Sequence, residues 1–314
     1  MISVAYITAR PEPRFDWFFD SLARQSGLEQ VTQIIIVDFF AQTCDDWTTE
    51  DCIRRYQSVM DASKHFKPIV RWVPPKPNVW GGKHRLTPVN WWHTAAARNT
   101  ALIYCKNDFI AYLDDRCVLE PTWLDAVREA RDKQYVVCGT YEKRNGLAVK
   151  NGSIVSDGDV VGKDGRASLA QGRKMICPGS WVFGCTFALP TEWMLQVNGV
   201  DESWDSVSME DTHFGQMLEN NNYPIFHDPR MKMIEDRSPS APAHNMKRSS
   251  KEKHPNDKSD KTHKLIEKLW GKTSSSHLWN LRDIRSSVLA GNFPPIPTGP
   301  THDWFDGQEL REMV

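Results

Sequence analysis

The opening forty residues restrict the possible folds more than any other stretch of the chain. ISVAYIT is a short apolar run rich in β-formers, stopped by ARPEP. FDWFFDSLARQ follows with Phe15, Phe18, Phe19 and Leu22 on one helical face, and QIIIVDFF is an almost purely β-branched run carrying Asp38. Strand, helix, strand in that order is a βαβ opening. Strands apolar along their whole length belong to a parallel sheet covered by helices on both faces.

The alternation continues. Residues 45–65 read as a helix, PIVRWVPP as a third strand closed by prolines, and VNWWHTAAARNTALIYCKN as a helix with an alanine-rich core face. DFIAYLDD is a strand with two aspartates at its exit, PTWLDAVREARDK a helix with proline in its first turn, and QYVVCGTYE another strand. Residues 143–174 turn polar and glycine-rich, as a long loop or a β-excursion. WVFGCTFALPTEWMLQVNGVDE restores strand then helix, and MEDTHFGQMLENN is a helix with an acidic start, which its dipole favours. YPIFHDP and RMKMIED read as two short final strands. The pattern dissolves near Arg237. Beyond it lie a Ser-, Pro-, Lys- and His-rich stretch, an amphipathic helix (THKLIEKLWGK) and a proline-rich tail (NFPPIPTGP). The expected division is one α/β domain over residues 1–236 and a basic extension over 237–314.

Composition narrows the partners. With 40% hydrophobic and 25% charged residues, the 314-residue chain has the material for a substantial core. A formal net charge of −1 gives no global field toward nucleic acid or membrane. Residues 237–272 nevertheless hold ten Lys or Arg against four Asp or Glu, a stretch that either tracks phosphates or forms a solvated face. Seven cysteines, odd in number and without a C-x-x-C pair, argue against a zinc ribbon and for a reducing compartment. No run of 18 apolar residues and no secretory leader pattern occur, so a soluble cytoplasmic protein without a membrane span is expected. The thirteen tryptophans serve either core packing or ring stacking against a ligand. Neither G-x-x-x-x-G-K-[ST] nor G-x-G-x-x-G occurs, which removes P-loop and dinucleotide chemistry.

Ligands of open parallel sheets sit beyond the carboxyl ends of the strands. Three acidic stations fall there: Asp38, the pair Asp114–Asp115, and Glu210–Asp211 opening a later helix. Carboxylates beside buried strands must be paired or bind a cation. In YLDD a strand delivers carboxylates to its end, a hard-oxygen site for Mg²⁺ or Mn²⁺ that would clamp a diphosphate. The segment VWGGKHRLTPVNWWH, with Lys83, His84, Arg85 and three tryptophans, binds a diphosphate or an acceptor, or is a surface loop.

HTAAARNTALIYCKNDFIAYLDDRCVLEPTWL resembles the core of family-2-like GT-A glycosyltransferases: a small-residue helix with Ala-Arg-Asn, a strand, an aspartate cluster, then a Pro-x-x-Leu helix. VNGVDESWDSVSMEDTHFGQML is similar to the family's second block, and VAYITARPE and IIIVDFF to its strand-one loop and strand-two aspartate. The resemblance covers roughly residues 2–236. It implies a GT-A (Rossmann-like) mixed, mostly parallel sheet flanked by helices, with a C-terminal helical and basic extension. It implies transfer of a sugar from a nucleoside-diphosphate sugar, a UDP-sugar first, to an acceptor hydroxyl, with Mn²⁺ or Mg²⁺ and inversion. The family's default acceptor is a saccharide, and the basic stretch over residues 237–272 adds a hydroxymethylated base in DNA as a candidate.

Carried over by position, Thr8, Ala9, Arg10 and Asp38 would line the base and ribose, and Arg98 would lie near the base or diphosphate. Asp114 would face ribose and metal, and Asp115 would be the main metal ligand, with a late histidine, His244 or His254, added. Gly184 and Cys185 would sit beside the donor sugar. Asp211, with Glu210 beside it, would be the general base, and Trp204, Asp201 and Glu202 would border the acceptor. His227 would end a strand as a structural residue. The chain departs from the pattern at Arg116, where the Asp-x-Asp signature has its last carboxylate. Either Asp115 binds metal with diphosphate and water, or Arg116 itself neutralises the diphosphate. The competing reading is a non-catalytic nucleic-acid- or carbohydrate-binding protein on a degenerate scaffold.

Overall fold

The computed structural model describes residues 1–41, 48–76, 93–205, 209–238 and 280–291. The apolar runs are strands and the amphipathic runs helices. β1 (Ile2–Thr8), α1 (Phe15–Ala23), β2 (Val31–Asp38), α2 (Thr49–Ser63) and β3 (Ile69–Val73) form two successive βαβ crossovers. α2 starts where it does because Thr48 and Asp51 build a reciprocal capping box, which satisfies two otherwise orphaned N–H groups. α3 (Thr94–Tyr104), β4 (Phe109–Asp114), β5 (Cys117–Leu119), α4 (Trp123–Lys133) and β6 (Val136–Asn145) follow. Pro121 stands two residues before α4, outside its first turn.

The polar stretch is the β-excursion: a hairpin of β7 (Ala148–Lys150) and β8 (Ser153–Ser156), then β9 (Asp159–Lys163), α5 (Gly165–Leu169) and β10 (Met175–Ile176). β11 (Thr186–Pro190), α6 (Thr191–Gln196), α7 (Glu210–Asn220), β12 (Ile225–Asp236) and α8 (Leu281–Leu289) complete the described elements. The two final strands expected from sequence are one strand. β12 carries an irregularity between His227 and Lys232, at Asp228-Pro229-Arg230, where proline has no N–H to give the ladder.

The sheet runs in the order β10-β12-β6-β11-β4-β1-β2-β3, with β5 on β12 and β9 on β6. β4, β1, β2 and β3 are parallel, as are β6 and β12, while β11 is antiparallel to both of its neighbours. Order reverses between β1 and β4, so the crevice for a ligand opens beyond the ends of those two strands. Period-2 alternation divides the core. Ile2, Val4 and Tyr6 of β1 pack with α1 and α4, whereas Ala5 and Ile7 pack with α3, α6 and α7. α1 puts Phe15, Trp17, Phe18, Phe19 and Leu22 into that core, each side chain contributing about 1.5–3 kcal/mol.

α3 is buried from Thr94 to Ile103, because sheet, α7 and α8 surround it and its alanines allow close approach. α8 went unread in the sequence. Asn280 caps it by accepting N–H bonds from Arg282 and Asp283, and its Leu281 and Val288 join the core beside α3. The amphipathic segment 262–272, the proline-rich tail, His244 and His254 lie outside the described residues. Among those residues no helix is long and apolar enough to cross a membrane.

Candidate functional site

At the exit of β4 two neighbouring carboxylates diverge. Asp114 points to the cleft, with its side chain 30% exposed and Arg98 Nη2 3.8 Å away. Arg98 comes from the middle of α3 and is itself buried. Its Nη1 donates to Glu210 Oε1 at 2.9 Å. Thr94, one helical turn earlier, donates to the same Glu210 oxygen at 2.9 Å. Gly184 lies directly over Arg98: a Cβ there would collide with the guanidinium, which holds its place only because glycine leaves the room. The Gly184 N–H donates to Asp211 Oδ2 at 2.7 Å, and the Thr212 N–H to Asp211 Oδ1 at 2.7 Å. Asp114, Arg98, Gly184, Glu210 and Asp211 thus form one constellation from four parts of the chain.

The electrostatics of that group suit proton transfer. Three carboxylates share one guanidinium, and Asp211 is mostly withdrawn from water. Burial first, and the adjacent Glu210 charge second, raise the Asp211 carboxyl above its ordinary range, while Arg98 and the two N–H bonds hold it down. The Trp204 ring stacks on His213 of α7, with centroids 4.9 Å apart.

Asp115 turns the other way. Its side chain is 6% exposed; Oδ2 accepts from Thr8 Oγ1 at 2.7 Å, and Oδ1 lies 2.9 Å from Arg10 Nε. Arg116 adopts a left-handed backbone (φ 54°) and sends its buried guanidinium to Asp236 at the end of β12. Its N–H donates to Tyr6 Oη at 2.9 Å and to the Pro13 carbonyl at 3.1 Å. Burial would raise the Asp236 carboxyl, but bonds from Ser238 and Arg116 hold it below the usual range.

These facts revise several expectations. Arg116 does not face the cleft: it is an interior cation with a partner. Asp201 and Glu202, expected at the acceptor, are fully buried; Glu202 pairs with Lys76 at 2.5 Å and accepts from Asn99. Asp38 is also fully buried, its carboxylate clasped by Arg55 at 2.5 and 2.9 Å and by Trp72 Nε1 at 2.9 Å. The Thr8 side chain points inward, Ala9 is buried, and Cys185 is buried with its carbonyl accepting from the Asp114 N–H at 3.1 Å. Burial raises the Cys185 thiol, so it stays protonated. His227 is fully buried, as a structural residue would be, its ring edge-on to Trp181. Lys83, His84 and Arg85 lie outside the described residues.

A divalent ion fits this donor set poorly. Asp115, the expected principal ligand, already has both oxygens engaged, and Arg10 puts a cation beside it. Among the described residues no three His, Cys, Asp or Glu side chains are grouped to hold a metal ion.

Sequence reading missed Arg55, Glu235 and Asp205. Asp205 accepts the first N–H groups of α3, from Ala95 at 2.6 Å and Ala96 at 3.0 Å, and so fastens the loop before α7 to the helix carrying Arg98. Its signal was faint: one aspartate in SWDSVSMED, five residues before the acid pair.

Comparison with known proteins agrees with this geometry. Residues 76–183, which hold α3, β4 and β5, match the model of glycosyl transferase family 2. The match stops one residue before Gly184, so α7 and its acid pair are placed by the fold. Residues 1–349 of S. aureus TarS in complex with UDP-GlcNAc share the architecture at a TM-score of 0.52 and 14% identity, over 93% of this chain and 71% of that one. The complex of the same protein with UDP gives 0.52 and 15% identity, over 93% and 70%. Against a longer TarS chain the match covers 75% of this chain but only 36% of that one, at 16% identity and a TM-score of 0.46. No curated protein sequence matches the chain. The helix of Arg98 and the aspartates of β4 thus lie in the segment similar to glycosyl transferase family 2, and the mixed sheet around them has the GT-A fold.

Proposed function

We propose that the chain is a nucleotide-sugar glycosyltransferase in which Asp211 takes the proton of the acceptor hydroxyl. The observation carrying this reading is the Asp211 carboxylate itself. It is withdrawn from water, oriented by two backbone N–H groups, raised in pKa, and linked through Arg98 to Asp114 at the switch point of the sheet. The acceptor oxygen attacks the anomeric carbon as its proton passes to Asp211. The bond from that carbon to the β-phosphate oxygen breaks, and its electron pair leaves with the nucleoside diphosphate. In-line attack of this kind inverts the anomeric configuration. Asp114 is the carboxylate at hand for the ribose hydroxyls. A UDP-sugar is the first donor to try, because a structural relative is seen with UDP-GlcNAc. The acceptor is a saccharide or a hydroxymethylated DNA base, the latter suggested by the basic stretch of residues 237–272.

The test is release of nucleoside diphosphate from a UDP-sugar panel, assayed both with Mn²⁺ and in chelator, by wild type and Asp211→Asn. The variant should bind donor nearly as well and turn over about 10²–10⁴-fold more slowly, the range for a positioned general base. A wild-type rate in Asp211→Asn would remove Asp211 from the mechanism. Donor binding without any turnover in wild type would favour a binding protein instead.

A further inference from the structure

The ends of β1, β4 and β12 meet beside the cleft, and charge there is arranged for an anion. Arg10, just past β1, reaches between Asp115 (Nε to Oδ1, 2.9 Å) and Glu235 (Nη2 to Oε1, 3.0 Å). Glu235 also takes Arg237 at 2.9 Å and has Lys143 at 4.0 Å, while Asp236 holds Arg116. With Asp114, whose charge also acts on Arg10, four carboxylates face four cations. A site for a divalent ion requires a surplus of acid, which this balance lacks. Exposure points the same way: the Arg10 side chain is 18% exposed, Asp115 and Glu235 only 6% and 5%. A ligand entering from the cleft meets the guanidinium before the carboxylates behind it. Arg10 Nη1 has no partner among the described residues. Burial alone would lower the Arg10 pKa, but the charges of Asp115, Glu235 and Asp114 outweigh that and raise it, so it stays cationic.

We infer that Arg10 binds the diphosphate of the donor and takes the charge of the leaving group, in the role a divalent ion would otherwise fill. Asp115 and Glu235 are its positioning residues: they fix the planar fork so that Nη1 and the outer edge of Nη2 can meet two phosphate oxygens. A guanidinium presents paired donors that match phosphate geometry, and its orientation is set before the reaction. As the bond from the anomeric carbon to the phosphate oxygen breaks, the added negative charge develops against a cation already in place. This inference rests on the nucleotide-sugar reading above and assigns to Arg10 a diphosphate role in place of base or ribose contact.

The experiment is calorimetric titration of the full chain with UDP and with UMP, each in EDTA and in Mn²⁺. The expected result is UDP binding of similar strength in both buffers and about ten- to a hundredfold tighter than UMP, the scale of charged hydrogen bonds to the second phosphate. Arg10→Gln should remove the preference for UDP while leaving UMP affinity unchanged, and Arg10→Lys should restore part of it. Should Arg10→Gln fail to fold, Asp115→Asn decides. It removes one of the two carboxylates that fix the guanidinium, so the UDP preference in EDTA should weaken in part, whereas loss of a mere metal ligand would change nothing there. UDP binding that Mn²⁺ tightens by tenfold or more, with that gain lost in Asp115→Asn, would overturn the clamp yet keep the donor reading. An unchanged UDP preference in Arg10→Gln would overturn it as well. Absence of UDP binding in either buffer would overturn both.

Discussion

Gly184 shows how much of this site rests on single atoms. With any side chain there, the Arg98 guanidinium would have to shift from its place between Glu210 and Asp114. Asp211 is the second such case, since the Glu210 charge beside it helps to set its protonation. Because Glu210 is the largest cause after burial of the raised Asp211 carboxyl, Glu210→Gln should lower it. The sign follows directly. The base works deprotonated, so the acidic limb of kcat/KM against pH lies above the ordinary aspartate range in wild type and shifts to lower pH in the variant. A limb that stays in place would show that Glu210 does not act on Asp211. Arg116 is the residue most changed in meaning. Beside an aspartate cluster it suggested a missing metal ligand or a diphosphate clamp; folded, it is half of an interior ion pair with Asp236.

Elements were legible where burial imposes a period. β1, β2 and β4 are apolar on both faces, and α1 has one wet and one dry face, so each announced itself. α8 did not, because LRDIRSSVL offers only a narrow apolar stripe and lies beyond a long polar stretch. Its attachment is nonetheless firm. Leu281 is fully buried against α3, and its N–H donates to Asn198 Oδ1 at 2.9 Å. Leu281→Ala should cost about 2–5 kcal/mol in urea unfolding, the range for emptying a core leucine site. A loss below about 1 kcal/mol would mean that α8 rides loosely on the domain. The candidate site was legible by the same logic, with acids at strand exits and at one helix start. Their partners were not. Arg55 for Asp38, Glu235 for Arg10 and Asp236 for Arg116 depend on which chain ends the sheet brings together, and no local pattern encodes that.

For the whole molecule, the position of α8 alters how the basic stretch can be tested. Cutting the chain after Asp236 would also remove a helix whose leucine fills the core, so weaker acceptor binding would report instability as much as missing charge. Replacing Lys251, Lys253 and Lys258 with glutamine keeps α8 and removes three positive charges. Should the acceptor be hydroxymethylated DNA, its affinity should fall, and the slope of its salt dependence should flatten by about 0.9 for each phosphate no longer neutralised. An unchanged salt slope would leave those lysines a solvated face and favour a neutral saccharide.

The bonds that build the cleft join residues far apart along the chain. Thr8 meets Asp115 across 107 positions, Asp205 meets Ala95 across 110, Arg98 meets Glu210 across 112, and Arg116 meets Asp236 across 120. Pairings so remote form slowly, because a long stretch of chain must be ordered before any of them rewards the loss of freedom. Strands and helices can gather first, but the constellation around Asp211 closes only when α7 docks against α3. In a refolding experiment, nucleotide binding should therefore return after secondary structure does. Regained binding would mark completion of the native state rather than the arrival of any one segment.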